Sequence, residues 1–293
     1  MLEGKLLKEI AEITACRADD LKLTPVGGGD CNETWKLDTE QFSFFLKVNR
    51  SMQDGFFQAE AEGLAALAAV PEGPKVPLVK GTAEVEGTGI LVLEYIEPGR
   101  SSESLMERLG RELAGLHLNG TSKLYGFPHD NFIGLTSQVN TETADWRDFY
   151  LTCRIEPQVH AAVRSGYIGR SGRKKLESLM EALPSLLRIP EHPSLLHGDL
   201  WGGNYLAAAG HEPVLIDPAV YYGDREADIA MTELFGGFSA AFYRGYDSVF
   251  PLDPGYRFRR DLYNLYHLLN HLNMFGGGYL HSVMAITEAY LRS

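Results

Sequence analysis

One short stretch of polar and glycine residues constrains this chain more than any other part of its sequence. Residues 195–204 read LLHGDLWGGN, and the run VLIDP follows at 214–218. These two segments place four polar side chains close together between apolar runs: His197, Asp199, Asn204 and Asp217. The β-branched, apolar residues before Asp217 predict a short strand that ends at this carboxylate. The fold must therefore support a polar site directly beside buried structure.

The spacing of these residues is typical of the catalytic loop of kinases. Asn204 follows Asp199 by five positions, and the pattern DLxxxN of that loop is complete. Phosphoryl transfer needs a base for the attacking hydroxyl and oxygen ligands for Mg²⁺ beside it. We therefore predict that Asp199 is the base and that Asn204 and Asp217 bind the metal. The alternative, an ordinary helix-capping Asp and a turn Asn, requires three correctly typed positions to coincide by chance.

Charge and composition exclude several classes of partner. The net charge is −12 and no basic run occurs, which argues against nucleic acid or an anionic membrane surface. No apolar run approaches the roughly 20 residues of a membrane span, and the start of the chain is expected to form an amphipathic helix, not a signal peptide. The 3 cysteines show no paired spacing, which disfavours disulfides and zinc. We expect a cytoplasmic monomer, with a dimer left open.

The N-terminal third predicts an antiparallel sheet with a glycine-rich loop at its first corner. VGGGDCNETWKL reads as strand, glycine turn and strand, and QFSFFLKVN continues as a third strand. Against the template G-x-G-x-x-G, Gly27 and Gly29 fit, while Asn32 occupies the last place. We predict that Gly27, Gly28 and Gly29 cover the phosphates of a nucleotide. The loop taken alone fits a plain tight hairpin equally well.

A lysine and a glutamate favour the nucleotide interpretation of this sheet. Lys47 ends the third strand, and Glu60 lies 13 residues later in a predicted helix. A strand lysine paired with a helix glutamate holds ATP phosphates in kinases. Glu62 competes with Glu60, which we prefer because it shares the apolar stripe that begins at Phe56 and must face the sheet. The alternative is a pair of solvated surface charges.

We place a boundary between two lobes where the next buried strand stops, giving an N-lobe of residues 1–97 and a C-lobe of residues 98–293. Backbone groups at the end of this strand are expected to meet the adenine edge of ATP, at Glu94, Tyr95 and Ile96. The adenine ring is expected to lie between Val26, Val92 and Ile96. The alternative is a core strand followed by a turn.

After this boundary the chain is expected to be mostly helical, with a long loop at residues 123–146 whose aromatic residues favour a functional role. A later helix is expected to begin with a charged cluster, which consists of Asp224, Arg225, Glu226 and Asp228. This cluster fits a solvated helix N-terminus and a catalytic Glu226 equally well. Near the C-terminus, His267, Asn270 and His271 share one helix face. This polar face predicts a pocket wall, with His271 as a substrate contact.

Taken together, these segments resemble the fructosamine (ketosamine) kinase family, a branch of the protein-kinase-like, aminoglycoside-phosphotransferase-type fold. The resemblance extends from about Val26 to the C-terminal end and is carried by GGGDCNETWKL, FFLKVN, HGDLWGGN, IDPAVYYGDRE and LLNHLNMFGGGY. HGDLW with the following DPA…Y…G run separates this branch from choline and aminoglycoside kinases. The resemblance implies an α+β, two-lobed protein-kinase-like fold, with a small antiparallel sheet and a mostly helical second lobe.

The same resemblance implies ATP- and Mg²⁺-dependent phosphorylation of the 3-hydroxyl of a ketosamine, which is a sugar attached to an amine by glycation. The phosphorylated adduct becomes unstable and sheds the sugar, so the family repairs glycated amines. By motif match, Asp199 is the implied base, Asn204 and Asp217 are the Mg²⁺ ligands, and Lys47 with Glu60 holds the phosphates. The residues implied on the acceptor side are Trp201, against the sugar, and Asn131, Gln138 and Asn140.

The sequence departs from protein kinases at three motifs. Gly198 replaces the arginine of H-R-D, the metal motif reads D-P-A instead of D-F-G, and no A-P-E segment follows. Activation-loop phosphorylation is therefore not expected. Gly202 stands where the family usually has serine, which moves neither base nor ligand. Gly202 and Gly203 are expected to let the backbone turn tightly between the base, Asp199, and the ligand, Asn204.

Two other functions stay open at this point. One is a kinase for another small hydroxyl compound, such as an aminoglycoside or an amino alcohol. The other is a non-catalytic, nucleotide-binding pseudokinase, which the presence of Lys47, Asp199, Asn204 and Asp217 argues against.

Cys31 lies in the glycine-rich loop, and we hypothesise that its oxidation obstructs ATP binding or joins two chains. An inert loop cysteine fits the sequence equally well.

Overall fold

A five-stranded antiparallel sheet and two α-helices form the N-terminal part of the protein, in a computed structural model that describes residues 4–27, 32–51 and 53–292. The elements in chain order are α1 (Gly4–Thr14), β1 (Lys22–Pro25), β2 (Glu33–Asp38), β3 (Ser43–Asn49), α2 (Phe56–Ala68), β4 (Val79–Val85) and β5 (Thr88–Glu94). The strands follow the order β1-β2-β3-β5-β4 across the sheet. The predicted meander, its helix and the first amphipathic helix are all present.

The two faces of this sheet serve different purposes. Side chains alternate along a strand, so Leu46 and Val48 of β3 face α1, whereas Lys47 between them faces the helical part. The same alternation in β5 sends Leu91 toward the helical part and Val92 into the core under α1. The prediction that Val92 lies against an adenine ring is therefore wrong, because its side chain points away from the face that carries Lys47.

The remaining chain is mostly helical and carries three short antiparallel strand pairs among the described residues. Its helices are α3 (Glu103–Asn119), α4 (Trp146–Phe149), α5 (Glu156–Arg164), α6 (Arg170–Leu186), α7 (Glu226–Leu234), α8 (Ala240–Asp247), α9 (Tyr256–Phe275) and α10 (Leu280–Tyr290), and a π-helical stretch, Tyr150–Ile155, joins α4 to α5. Its strand pairs are β6–β7 (Asn131–Ile133, Thr136–Gln138), β8–β11 (Ser194–Leu196, Tyr221–Gly223) and β9–β10 (Tyr205–Ala208, Glu212–Leu215). The predicted long loop thus contains the β6–β7 hairpin, whose strands are too short to show alternation. No helix in the described ranges is long and apolar enough to cross a membrane.

The β9–β10 hairpin joins the two parts of the molecule. The backbone N–H of Gly99 donates to the carbonyl of Ala207 at 2.7 Å, and that of Ala209 donates to Glu97 at 2.8 Å. On the other strand, the N–H of Leu215 donates to Lys75 at 2.8 Å. The segment that links sheet to helices is therefore held on the hairpin, and we propose the lobe boundary at residues 97 and 98 on this basis.

Candidate active site

A cavity of about 520 Å³ opens where the sheet meets the helical part. Two sets of side chains line it. We call the first the polar cluster, formed by Lys47, Glu60, Asp199, Asn204 and Asp217. We call the second the aromatic wall, formed by Trp201, Phe235, His271, Phe275 and Tyr279. The fold therefore gathers the sequence-predicted base, metal ligands and phosphate-binding pair in one cavity.

Lys47 joins the sheet to the polar cluster. Its Nζ lies 2.6 Å from Glu60 Oε1 and 2.6 Å from Asp217 Oδ1, and the lysine side chain is only 4% exposed. Burial disfavours the charged ammonium, but the two carboxylates outweigh this effect and raise the pKa of Lys47 above its ordinary value. The competing acid, Glu62, accepts instead from the exposed side chain of Gln58. The structure thus pairs Lys47 with the glutamate that we preferred.

Asn204 and Asp217 present oxygen atoms to the cavity. The amide nitrogen of Asn204 donates to the backbone carbonyl of Asp199 at 2.7 Å and to its carboxylate at 3.1 Å, which leaves the amide oxygen as the free end. Asp217 lies two residues beyond the end of β10 and has a left-handed φ of 55°, and its side chain is 44% exposed. An amide oxygen and a carboxylate are hard ligands that suit Mg²⁺ when substrate phosphates complete its shell. The residues present therefore fit this ion.

The glycine before Asp199 is fixed by contact with the metal-side loop. Gly198 has a φ of 83°, and a Cβ at this position would collide with the carbonyl oxygen of Ala219. The N–H of Ala219 donates to His197 O at 2.8 Å, so the two loops run together at this point. An arginine, as in H-R-D, cannot occupy this place. The departure from protein kinases thus has a steric cause in this fold.

Asp199 lies in an environment that disfavours its charge. Desolvation is the main cause, the carboxylates of Asp217 and Asp228 add to it, and the hydrogen bond from Asn204 opposes it. Together these effects raise the pKa of Asp199 to about 7. A carboxyl group with such a pKa is suited to accept a proton near neutral pH.

Asp228, which the sequence placed only in the charged cluster of the later helix, is buried and holds the catalytic loop in place. Asp228 Oδ2 accepts the N–H of His197 at 2.7 Å, and Oδ1 accepts that of Gly198 at 2.9 Å. His117 Nε2 lies 3.2 Å from the same carboxylate. Burial opposes ionisation, but these donors hold the pKa of Asp228 below its ordinary value. An acid flanked by Ala227 and Ile229, in ADIAM, was the available signal of burial.

The charged cluster at the start of α7 is neither solvated nor catalytic. Glu226 is fully buried and accepts two hydrogen bonds from Arg259, from Nη2 at 2.7 Å and from Nε at 2.8 Å. Asp224 is equally buried and receives two hydrogen bonds from Arg188, at 2.9 and 3.0 Å. Both interpretations of Glu226 from the sequence are therefore wrong, because the cluster faces the helical core and forms paired, hydrogen-bonded ions there.

The polar residues of the predicted acceptor loop take up two layers. Asn131 lines the cavity, whereas Gln138 and Asn140 are buried behind it at 2% and 1% exposure. Both donate to Asn131 Oδ1, at 2.7 Å from Gln138 and 2.9 Å from Asn140. The prediction that Gln138 and Asn140 contact substrate is therefore corrected: the β6–β7 hairpin turns their amides inward, toward Asn131.

A buried arginine fixes the direction of this amide network. Arg154 has no accessible surface, and its Nη2 donates to Asn140 Oδ1 at 2.7 Å. Because a guanidinium only donates, the Asn140 amide must turn its nitrogen to Asn131. The nitrogen of Asn131 in turn donates to Val220 O at 2.8 Å. Asn131 is the member of this network that lines the cavity, and the orientation of its amide is thus set from the core.

Replacing Gln138 with Leu is expected to weaken acceptor binding without weakening nucleotide binding. Leu removes a donor to Asn131 and leaves the hydroxyl of Tyr266, which donates to Gln138 at 2.7 Å, without this partner. We expect the KM for the acceptor to rise about tenfold, the effect of roughly one hydrogen bond. Initial-rate kinetics with each substrate varied in turn measure this, with Tyr266→Phe as the milder control. An equal rise in both KM values would contradict the assignment.

Two glycines after Trp201 permit close packing, of its ring on Gly203 and of the loop on Gly236. A Cβ on Gly203 would collide with the Trp201 ring, and one on Gly202 would lie 3.0 Å from Gly236 O. Neither glycine has a positive φ, so the tight turn that we predicted from them is not what requires them. Trp201 remains 38% exposed and faces the cavity.

His271 contributes both a ring and an acceptor atom to the aromatic wall. Its Nδ1 lies 2.8 Å from the carbonyl of His267, which only accepts, so this nitrogen carries the proton and Nε2 is the free acceptor. Burial lowers the pKa of His271 and favours this neutral form. Its ring centroid lies 4.8 Å from that of Phe235. Asn270 also lines the cavity, whereas His267 is buried in α9.

The predicted adenine-binding residues lie outside the cavity lining described above. The N–H of Glu94 already donates to Leu78 O at 2.8 Å, and Lys36 Nζ lies 4.7 Å from the ring centroid of Tyr95. Gly27 is exposed next to β1, and Ile96 is half-buried. Gly28, Gly29 and Cys31 fall outside the described residues. Adenine contact by Glu94, Tyr95 and Ile96 stays a prediction.

The architecture and the cavity together define a class of protein. An antiparallel sheet lies over a helical part, and a lysine–glutamate pair faces an aspartate–asparagine loop across the cavity. This is the protein-kinase-like fold, and the fold class predicted from the sequence is confirmed.

Comparison with known proteins identifies the family within this class. The sequence matches the fructosamine kinase family over residues 5–293, and the chain belongs to that family. It is 42% identical over 271 residues to a probable ketoamine kinase of Synechocystis sp., across 91% of this chain and 89% of that protein. It is 42% identical over 274 residues to the chloroplastic protein-ribulosamine 3-kinase of Arabidopsis thaliana, across 92% and 83%. A crystal structure of a "putative fructosamine-3-kinase" from Thermobifida fusca covers 100% of both chains with 30% identity and a TM-score of 0.89.

Proposed function

We propose that the protein is an ATP- and Mg²⁺-dependent kinase that phosphorylates the 3-hydroxyl of ketosamines, namely fructosamine or ribulosamine adducts, and so leads to deglycation of the amine. The observation that carries the proposal is the polar cluster facing the aromatic wall across one cavity. Family membership supports the same reaction. Asp199 would act as base, Lys47 with Glu60 would bind the phosphates, and Trp201 would contact the sugar.

The chain's own residues suffice for base catalysis and positioning. Asp199, with its pKa raised to about 7, would take the proton of the acceptor hydroxyl, a contribution of about 10²–10⁴-fold. Lys47, held between Glu60 and Asp217, would orient the phosphates from the sheet side. Asn204 and Asp217 would hold Mg²⁺, which when bound neutralises charge on the phosphates.

The charge distribution in the cavity favours a ketosamine over an aminoglycoside acceptor. Among the described residues that line the cavity, the acidic side chains are Glu60, Asp199 and Asp217, all in the polar cluster. A polycationic aminoglycoside needs further carboxylates around its amines, and the aromatic wall supplies none. Aromatic rings suit a sugar face beside a single amine, because they offer apolar contact and cation–π attraction.

An acceptor screen tests this proposal. ADP release is measured with ribulose- and fructose-adducts of lysine, with unglycated lysine, and with an aminoglycoside and an amino alcohol. We expect kcat/KM for a ketosamine to exceed that of every other acceptor by about 10²-fold or more, since unpaired polar groups penalise the wrong acceptor. A 3-deoxy ketosamine is the matched control and should give no product. Preference for the aminoglycoside, or nucleotide binding without turnover, would overturn the proposal in favour of the two alternatives.

A further inference from the structure

Asn32 occupies a place in the glycine-rich loop pattern that the reaction above does not explain. In the template G-x-G-x-x-G this position would be the third glycine, and the chain has an amide side chain there instead. Asn32 directly precedes β2 and lines the same cavity as Lys47 and Asp217. The question is which end of the amide faces that cavity.

A short chain of hydrogen bonds answers this question. The backbone N–H of Ser51, which only donates, lies 2.9 Å from Asn49 Oδ1. The Asn49 oxygen is thus the acceptor, and the Asn49 nitrogen donates to Asn32 Oδ1 at 2.9 Å. With its oxygen held by Asn49, the Asn32 amide has its NH₂ group left for the cavity. The backbone N–H of Ser51 therefore fixes the orientation of the Asn32 amide through two successive hydrogen bonds.

The sheet places this NH₂ group beside the phosphate-binding lysine. The β2–β3 register pairs Glu33 with Val48 and Thr34 with Lys47, so Asn32 continues the ladder opposite Asn49. Lys47 and Asn49 are two positions apart on β3 and share its cavity face, about 7 Å from each other along the strand. Asn49 is only 8% exposed, so the bond between the two amides is shielded from water.

We propose that Asn32 donates a hydrogen bond from Nδ2 to the terminal phosphate of ATP, and that Asn49 is a positioning residue that sets the direction of the donor. The inference rests on the proposed function, because it takes ATP as the phosphate donor. Its chemistry is that of a neutral donor on an anionic oxygen, which adds to the charge of Lys47 without adding to the net charge of the cavity. The terminal phosphate is chosen because Asn32 lines the cavity together with Asp217 and Asp199.

Nucleotide affinity, measured by calorimetry with Mg²⁺ present, tests the role of Asn32. The non-hydrolysable analogue AMP-PNP carries the terminal phosphate and ADP lacks it. We expect Asn32→Ala to weaken AMP-PNP about tenfold, the loss of one charge-assisted hydrogen bond, and to leave ADP within about twofold. Asn32→Asp, which presents only acceptors, should weaken AMP-PNP more. Gln41→Glu makes the same amide-to-acid change on an exposed turn at the far end of these strands and should change neither affinity.

The role of Asn49 needs a separate variant. In Asn49→Asp the carboxylate still accepts from Ser51 but cannot donate to Asn32, so the Asn32 amide turns over and offers its oxygen to the phosphate. We expect a loss of AMP-PNP affinity of about tenfold with ADP affinity retained. In the double variant with Asn32→Ala, the Asn49→Asp change should add almost nothing, because its effect passes through the amide. A direct effect of the introduced negative charge would persist in the double variant and would contradict the relay.

The outcomes separate this inference from the proposed function. If the wild-type protein binds neither AMP-PNP nor ADP, the kinase proposal fails together with this one. If it binds both and Asn32→Ala weakens them equally or not at all, only the assignment of Asn32 is overturned. A melting temperature within a few degrees of wild type for each variant shows that the comparison concerns folded protein. Retained acceptor turnover in Gln41→Glu confirms that the sheet tolerates the added charge.

Discussion

Replacing Asp199 with Asn is expected to abolish phosphoryl transfer while nucleotide affinity stays within about threefold of wild type. The amide keeps the shape of the carboxylate and can still accept the hydrogen bond from Asn204 Nδ2, 3.1 Å away in the wild type. It cannot accept the proton of an acceptor hydroxyl. We expect kcat to fall by about 10²–10⁴-fold, the usual contribution of a positioned general base. Steady-state ADP release and calorimetry with AMP-PNP measure the two quantities.

The matched control for this variant is Asp247→Asn, the same change on an exposed residue at the end of α8. It removes one negative charge from the helical part without touching the cavity, and turnover should be unchanged. Retention of more than about a tenth of wild-type kcat by Asp199→Asn would exclude it as the base, since base catalysis contributes far more. Loss of AMP-PNP binding in the same variant would instead indicate that Asp199 supports the nucleotide site.

The parts of the site that the sequence predicted are those whose geometry is local. Asp199 and Asn204 lie on one loop, where five positions and a bond between the two side chains leave few arrangements. The pairing of Lys47 with Glu60 was also accessible, because strand alternation and the helical stripe each select one face. In these cases the period of the secondary structure decides which side chain meets which.

The parts that the sequence did not predict depend on packing between distant segments. Asp228 is 29 positions from Asp199, and nothing local shows that its carboxylate accepts N–H groups of the catalytic loop. Val92 lies in a strand that is apolar on both faces, so its sequence shows no alternation that could predict which face the side chain occupies. Asn140, turned inward, accepts from the buried Arg154, and Gln138, turned inward, accepts from Tyr266. Burial converts these polar groups from surface candidates into supports for the site.

Replacing Asp217 is expected to abolish turnover by removing the charged ligand for Mg²⁺. Asp217→Asn retains an oxygen and tolerates the left-handed φ of 55°, whereas Asp217→Ala loses the ligand and also adopts this φ at a cost of roughly 1–2 kcal/mol. We therefore expect both variants to lose turnover by about 10³-fold, as for a lost electrostatic contact at the reacting group. Only the Ala variant should also show a clearly lower melting temperature.

The dependence of nucleotide affinity on Mg²⁺ distinguishes loss of the metal from general damage. In the wild type, Lys47 is shared between Glu60 and Asp217, each 2.6 Å away, so these three groups are net negative without metal. We therefore expect the metal-free wild type to bind nucleotide weakly. Without the Asp217 carboxylate, Lys47 keeps its ion pair with Glu60 but loses the other of its two anionic partners. Its positive charge is then less neutralised and attracts a phosphate more strongly. Metal-free ADP should therefore bind Asp217→Asn at least as tightly as it binds wild type, and Mg²⁺ should no longer strengthen binding. Equal enhancement by Mg²⁺ in both proteins would show that the cation is held elsewhere, and the assignment of Asp217 would then be wrong.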